Sequence, residues 1–249
     1  MGKKRDYNEE FEDSKGRKYA YDFDYILRDF MIRQLSPFFP SGKALELGCY
    51  KGEFTKKILP YFDSVTVVEA ASDLITYCKS KVEGNVRYIN KRFENVNIEE
   101  KFDAIFLVHT LEHLDDPNLV LSKINSWLKP NGKLFLVVPN ANAASRQIAV
   151  KMGLITHNSA VTEGERLHGH RCTYTLDTLC RDAIESRLKV FQQGGIFFKP
   201  LANFQFDEML SKKIIDQEYL EGCFQLGMQY PELCASIFLV CERGDNSEH

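Results

Sequence analysis

Lys43-Ala-Leu-Glu46-Leu-Gly48-Cys49-Tyr50-Lys-Gly52-Glu-Phe-Thr-Lys-Lys-Ile58 is the stretch whose reading decides the fold. Its first five residues read as a buried strand, and Glu53–Leu59 reads as a helix. Between them, Gly48 permits a sharp turn and leaves no Cβ in the way of an approaching ligand. Gly52 permits close packing where the helix begins. In open α/β sheets the crevice beyond the carboxyl ends of such strands takes the ligand. The spacing G-x-x-x-G lacks the middle glycine of G-x-G-x-x-G, which argues against a dinucleotide pyrophosphate seated on this turn.

Working outward, the alternation continues. Val65–Glu69 reads as a strand that ends on an acid 21 residues after Gly48. Ser72–Val82 reads as a helix opened by a capping Ser72. Val86–Ile89 and Ala104–Val108 are strands, Pro117–Leu128 a helix, Lys129–Gly132 a turn and Lys133–Val138 the fifth strand. Strands separated by helices imply right-handed βαβ units and a parallel sheet. Upstream, Phe23, Ile26, Leu27, Phe30, Met31 and Leu35 recur at helical spacing until Pro37 and Pro40. Beyond Pro139 the rhythm breaks. Asn140–Arg171 shows a helix near Ala143–Met152 and no strand. A helix over Thr175–Ser186 follows, then a strand at Leu188–Gln192, a helix over Asn203–Leu226 and a last strand at Ala235–Cys241. An excursion as long as Asn140–Arg171 exceeds a plain connection and is expected to be functional.

The chain has 249 residues, 44% of them hydrophobic, with a net charge of −3 and a pI near 6.1. No apolar run approaches the ~20 residues of a membrane span, and a general nucleic-acid binder would carry a basic excess. Residues 1–18 are strongly charged and are expected to form a mobile arm, with 19–249 a single domain. Seven cysteines (Cys49, Cys78, Cys172, Cys180, Cys223, Cys234, Cys241) form no C-x-x-C pair. They read as reduced, mostly buried thiols of a cytoplasmic protein.

The turn at Gly48, the strand-terminal Glu69, the run Phe102-Asp-Ala-Ile-Phe-Leu-Val-His109-Thr-Leu-Glu-His113-Leu-Asp-Asp-Pro117 and the run Leu128-Lys-Pro-Asn-Gly-Lys-Leu-Phe-Leu-Val-Val-Pro139 together resemble the class I S-adenosylmethionine-dependent methyltransferases. The resemblance implies a Rossmann-like, doubly wound, mostly parallel seven-stranded sheet, with a helical N-terminal segment and an insertion after the fifth strand. It implies a cofactor core over 42–140 and acceptor-selecting segments over 140–174 and 197–230. It implies that Glu46, Gly48, Cys49, Tyr50 and Gly52 border the methionyl part of S-adenosylmethionine. Glu69 would hold the ribose hydroxyls and Ala70 would flank the adenine. Arg92, Phe93 and Glu94 stand where the family meets the adenine edge, although Arg92 and Phe93 depart from its usual Asp-small pair. His109 would line the sulfonium pocket, and Leu111 would begin the turn to the next helix. Tyr19–Arg28 would lie over the cofactor.

Five of the six histidines fall between His109 and His170. The segment Arg166-Leu-His168-Gly-His170-Arg171-Cys172-Thr-Tyr174 resembles a stretch found in relatives that act on small molecules and saccharide-related substrates. Three readings of it stand side by side. His170, with His168 or His113 as alternatives, is a general base; His168, His170 and Cys172 hold a metal; or the histidines are structural. H-x-H-x-C lacks a second ligand pair at the usual spacing, so no metal is expected. Arg146, Arg166, Arg171 and Tyr174 are the expected acceptor contacts, and with Lys199 they suit an anionic or phosphate-bearing acceptor, such as a nucleotide-linked or capsular saccharide precursor. The expected activity is methyl transfer to an oxygen or nitrogen of a small acceptor; the sequence leaves the oligomeric state open, a homodimer included. The alternative is a catalytically silent partner that only binds the cofactor.

Overall fold

The computed structural model describes residues 7–8 and 20–244. Apart from Tyr7 and Asn8, the expected arm over 1–18 lies outside the described residues, as does Tyr19.

Seven strands form one sheet: β1 (Lys43–Leu47), β2 (Ser64–Glu69), β3 (Val86–Asn90), β4 (Phe102–Val108), β5 (Leu128–Pro139), β6 (Leu188–Phe198) and β7 (Cys234–Arg243). Their order is β3-β2-β1-β4-β5-β7-β6. The pairs from β3 through β5 are parallel, and β7 runs antiparallel between β5 and β6. This is the Rossmann-like, mostly parallel seven-stranded sheet expected from the sequence. The strand order reverses direction at β1, so the ends of β1 and β4 diverge there and open a crevice.

The sheet is buried on both faces because its central strands are mostly apolar, with Glu46, Thr66 and Ser236 among the buried polar exceptions. Ala44, Val65, Val67, Phe106, Phe135, Val137 and Phe238 face one core. Their neighbours Leu45, Ile105, Leu107, Leu134, Leu136 and Leu239 face the other. The first core is roofed by the N-terminal helix α1 (Asp22–Leu35). Its Phe23 stacks on Phe206 at 4.1 Å, and its Phe30 stacks on Phe224 at 5.0 Å. These rings belong to α8 (Asn203–Ser211) and α9 (Gln217–Gln229). Asp207 accepts from the backbone N–H of Asp22 and Phe23 at 3.1 and 2.8 Å. It thereby satisfies two donors of the first turn of α1. The second core is covered by α4 (Pro117–Trp127) and α7 (Leu176–Glu185).

Several element boundaries differ from the sequence reading, each for a visible reason. The single helix expected over Asn203–Leu226 is two, parted where Lys213 takes φ +56°. The sixth strand continues through Gly194-Gly195 to Phe198, because glycine is needed where Phe238 and the Pro231 carbonyl press against the strand. The expected turn at Lys129–Gly132 is a bulge within β5, absorbed between the Phe102–Leu128 and Ala104–Lys133 pairs. Ser72 is not a cap: α3 (Ser72–Lys81) is preceded by Ala71, and Ser72 is already helical. α2 covers Glu53–Ile58. The excursion holds the expected α5 (Ala144–Lys151) and also α6 (Glu163–Leu167), whose capping box joins Thr162 and Glu165.

Candidate functional site

A cavity of about 330 Å³ lies over the carboxyl ends of β1, β2 and β4, at the position the strand order predicts. That volume falls in the range of small-molecule sites.

Its floor is the glycine turn. Gly48 has φ +82°, and a Cβ there would come within 2.7 Å of the Thr110 Oγ1. Tyr50 takes φ +47° on the same turn, and His109 takes φ +48° at the end of β4. Two non-glycine residues in the left-handed region at one cavity mark a backbone held against its preference. Glu69, buried at the end of β2, accepts from the N–H of Cys49 at 3.2 Å and of Ala71 at 2.9 Å. Burial raises its carboxyl above the usual range, and these N–H donors oppose the shift. Glu46 accepts from the Thr55 hydroxyl at 2.6 Å, and burial pushes its carboxyl up to about 8. Arg28, reaching in from α1, lines the same cavity, and its Nη1 is buried with no hydrogen-bond partner among the described residues.

The far end is built from the turn after β4 and from the excursion. The His109 Nε2 lies 2.8 Å from the Ser236 hydroxyl. Burial, then the nearby positive charge of Arg28, lowers the His109 ring to about 3. Beside it, the Glu112 carboxyl is buried, and neither of its oxygens has a hydrogen-bond partner among the described residues. Burial pushes it up to about 8. The His113 Nε2 stands 3.8 Å from Glu112 Oε1, and the His113 and His170 rings meet edge to face at 4.5 Å. One donor atom from each of Glu112, His113 and His170 lies within 4.8 Å of the others, a spacing that a small cation can bridge. The His170 ring is lowered to about 4, chiefly by burial, with Glu165 opposing. Lys199 donates to Asn203 Oδ1 at 2.7 Å, and Asn203 Nδ2 donates to Asp24 Oδ1 at 2.7 Å, which ties the cavity rim to α1.

Glu46, Gly48, Cys49, Tyr50, Glu69, Ala70, Arg92, Phe93, Glu94, His109, His113, His168 and His170 all line this cavity. Seven residues singled out in the sequence do not, among them Cys172, which packs half-buried against the second core. Gly52 lies behind the turn, where a Cβ would meet Val82 and Cys78. Leu111 is buried in the second core. Arg146 is spent inside the excursion, on Glu165 and the Asn158 and Ala160 carbonyls. Arg166 is exposed, and Arg171 is exposed and pairs with Asp115 at 3.2 Å. Tyr174 is buried in the second core, and its backbone bridges Asn140. The excursion therefore offers the cavity histidines rather than arginines. Thr110, Ser236, Asn203 and Tyr7 line the cavity without having been anticipated. Ser236 sits inside an apolar strand, where spacing carries no hint of a polar partner 127 residues away.

The donor set fits a nucleoside joined to an amino acid. A strand-end carboxylate suits a ribose diol, the unpartnered guanidinium nitrogen of Arg28 suits a carboxylate, and the glycine turn between them leaves backbone open to close approach.

A family model described as a methyltransferase domain matches residues 19–193. The ubiquinone biosynthesis O-methyltransferase of Coxiella burnetii (strain RSA 331 / Henzerling II) is 29% identical over 167 residues, covering 66% of this chain and 70% of that protein. Its namesake from Xanthomonas axonopodis pv. citri is 31% identical over 117 residues, 45% of this chain and about half (49%) of that protein. Among solved structures, the N-methyltransferase NodS from Bradyrhizobium japonicum WM9 in complex with S-adenosyl-L-homocysteine is similar, with a TM-score of 0.56 at 16% identity over 96% of this chain and 95% of NodS. An S-adenosylmethionine-dependent methyltransferase from Clostridium acetobutylicum ATCC 824 has a TM-score of 0.57 at 13% identity over 90% of this chain and 94% of that one. Sheet order, cavity and family match agree: the chain belongs to the methyltransferase domain family, the class I S-adenosylmethionine-dependent methyltransferases.

Proposed function

We propose that this chain methylates a hydroxyl oxygen of a small acceptor. The observation that carries this reading is one continuous cavity, with Glu69, Gly48 and Arg28 at one end and Glu112, His113 and His170 at the other. S-adenosylmethionine, when bound, supplies an activated methyl group on a sulfonium. In this reading Glu69 accepts the ribose hydroxyls, Arg28 pairs with the methionyl carboxylate, and Ala70, Arg92, Phe93 and Glu94 flank the adenine. His109, held by Ser236, walls the space between the two ends.

The chain's remaining task is to hold the acceptor oxygen in line and take its proton. Orientation of this kind is worth up to about 7–11 kcal/mol, and a positioned base about 10²–10⁴-fold. His170 is the proposed base, with His113 and His168 beside it. Burial keeps the His170 ring neutral at pH 7, so it is ready to accept a proton without first losing one. The names of the curated relatives favour an oxygen acceptor and lend no support to a saccharide or capsular precursor.

The experiment is radiolabelled methyl transfer from S-adenosylmethionine to a panel of phenols, sugar phosphates and amines, beside calorimetry with S-adenosylhomocysteine. Label entering the phenols fits the proposal. Label entering only amines would refute the oxygen acceptor, and absence of cofactor binding would refute the reading as a whole.

A further inference from the structure

Two thiols meet under the glycine turn. The Cys49 Sγ, on the turn, lies 3.6 Å from the Cys78 Sγ, on α3, and both residues are buried and free. Cys49 lines the cavity, and its N–H is one of the backbone donors that hold the Glu69 carboxylate. Cys78 Sγ also donates to the Tyr50 carbonyl at 3.2 Å, and it stands against the face of Gly52 where a side chain would otherwise lie. The Cys78 sulfur is thus packed against the turn at Cys49, Tyr50 and Gly52, and of the two thiols Cys49 is the one that opens toward the cavity.

We propose that Cys49 and Cys78 are a site of oxidative cross-linking by hydrogen peroxide, and that the resulting disulfide weakens cofactor binding. A disulfide needs the sulfurs at about 2.05 Å, so they must close by about 1.5 Å. Cys78 is fixed on a regular helix with its backbone hydrogen bonds made, whereas the turn holds Tyr50 at positive φ. The movement therefore falls on the turn. It draws the Cys49 N–H away from Glu69 and withdraws the Cys78 thiol from the Tyr50 carbonyl. Glu69 then loses one of the donors that aim it at the ribose.

The chemistry balances with one peroxide. The Cys49 sulfur, as thiolate, attacks a peroxide oxygen; the O–O bond breaks, and hydroxide leaves and takes up a proton as water. The Cys78 sulfur then attacks the Cys49 sulfenic sulfur, the S–S bond forms, and the second hydroxyl leaves as water. Two thiols lose two electrons and two protons, and one peroxide becomes two waters. The contact with Cys78, followed by burial and the facing carboxyl groups of Glu69 and Glu46, holds the Cys49 thiol above its ordinary range. Because the thiolate is the nucleophile, the reaction is slow at neutral pH and quickens as pH rises. A bound cofactor covers Cys49, so S-adenosylhomocysteine slows the reaction; this arm and the effect on affinity rest on the cofactor placement proposed above, and the cross-link itself does not.

The test treats the full chain with hydrogen peroxide at pH 7 and pH 8.5, then combines peptide mass mapping with calorimetry against S-adenosylhomocysteine. The expected result is a linked Cys49–Cys78 peptide two hydrogen masses lighter than its parts, formed faster at pH 8.5. Affinity should fall about tenfold or more and recover with dithiothreitol. Cys78→Ser, with Cys78→Ala as a second variant should the first fail to fold, forms no such peptide and instead leaves Cys49 as the unlinked sulfenic or sulfinic acid, which the peptide map tells apart from the link. Oxidation of Cys172 and Cys180 with no 49–78 link would overturn the proposal. So would a 49–78 link that leaves affinity unchanged. A reduced protein that binds no S-adenosylhomocysteine would instead refute the cofactor reading, and with it the effect on affinity, while the peptide map still decides the cross-link.

Discussion

Glu69→Gln is the most direct challenge to the proposed cofactor seat. The substitution keeps the side chain's shape and an oxygen for the N–H groups of Cys49 and Ala71, which hold it at 3.2 and 2.9 Å. It removes the negative charge and turns one acceptor atom into a donor that faces the ribose hydroxyls. A hydrogen bond to a charged group contributes about 1.5–3 kcal/mol net. Losing one such bond and weakening a second amounts to about 2–4 kcal/mol, or roughly 30- to 700-fold in Kd. The assay is calorimetric titration with S-adenosylhomocysteine, with a thermal melt to confirm that the variant is folded. A companion ligand sharpens it: the wild type should discriminate against the 2′-deoxy analogue, and the variant should have lost most of that preference. A folded Glu69→Gln protein that binds S-adenosylhomocysteine within threefold of wild type would refute the reasoning, because a buried carboxylate that contributes so little is not holding the diol.

Gly48→Ala places a Cβ within 2.7 Å of the Thr110 hydroxyl on a residue at φ +82°. A left-handed L-residue costs about 1–2 kcal/mol before any overlap, so a lower melting temperature and weakened cofactor binding are expected, with partial rescue by Thr110→Ala; a melt unchanged from wild type would contradict this packing. The pH dependence of stability has two limbs. His109 and His170 are lowered to about 3 and about 4, so from pH 6.5 downward the unfolded chain binds protons that the folded one refuses, and stability falls. Glu112 is raised to about 8, so as pH rises from about 4.5 toward 8 the folded chain holds a proton that the unfolded one releases, and its share of stability is lost. Melts across pH 5–8.5 should flatten on the acid side in His170→Asn and on the alkaline side in Glu112→Gln; parallel curves for all three proteins would sink the assignment. Arg146→Ala removes the guanidinium that ties α5 to Glu165 and to the Asn158 and Ala160 carbonyls. Breaking a mostly buried ion pair of this kind costs about 2–4 kcal/mol. Faster proteolysis within 153–162 with unchanged S-adenosylhomocysteine affinity is the expected outcome, and lost affinity would instead place Arg146 in the cofactor seat.

What the sequence determined by itself is the sheet and the seat at its edge. Apolar strands, a glycine turn and a strand-end acid are local signals, since a buried strand is mostly apolar and glycine is the residue that takes positive φ without strain. Gly48, Glu69 and the strands around them could therefore be read in order along the chain. The acceptor end was legible only in part. His113, His168 and His170 were visible as a cluster, but the arginines beside them were not separable from it by spacing. Whether a guanidinium faces a cavity or a carboxylate depends on what folds back against it, and Arg146 found Glu165 while Arg171 found Asp115. Arg28, Ser236 and Asn203 reach the cavity from opposite ends of the chain. Only the packing of α1 on α8, and the antiparallel entry of β7 beside β5, brings them there. Those long-range contacts also leave the Glu112 carboxyl without a hydrogen-bond partner among the described residues and set the Cys49 and Cys78 sulfurs 3.6 Å apart. Neither feature has a signature in one dimension, because burial and proximity are properties of the folded chain.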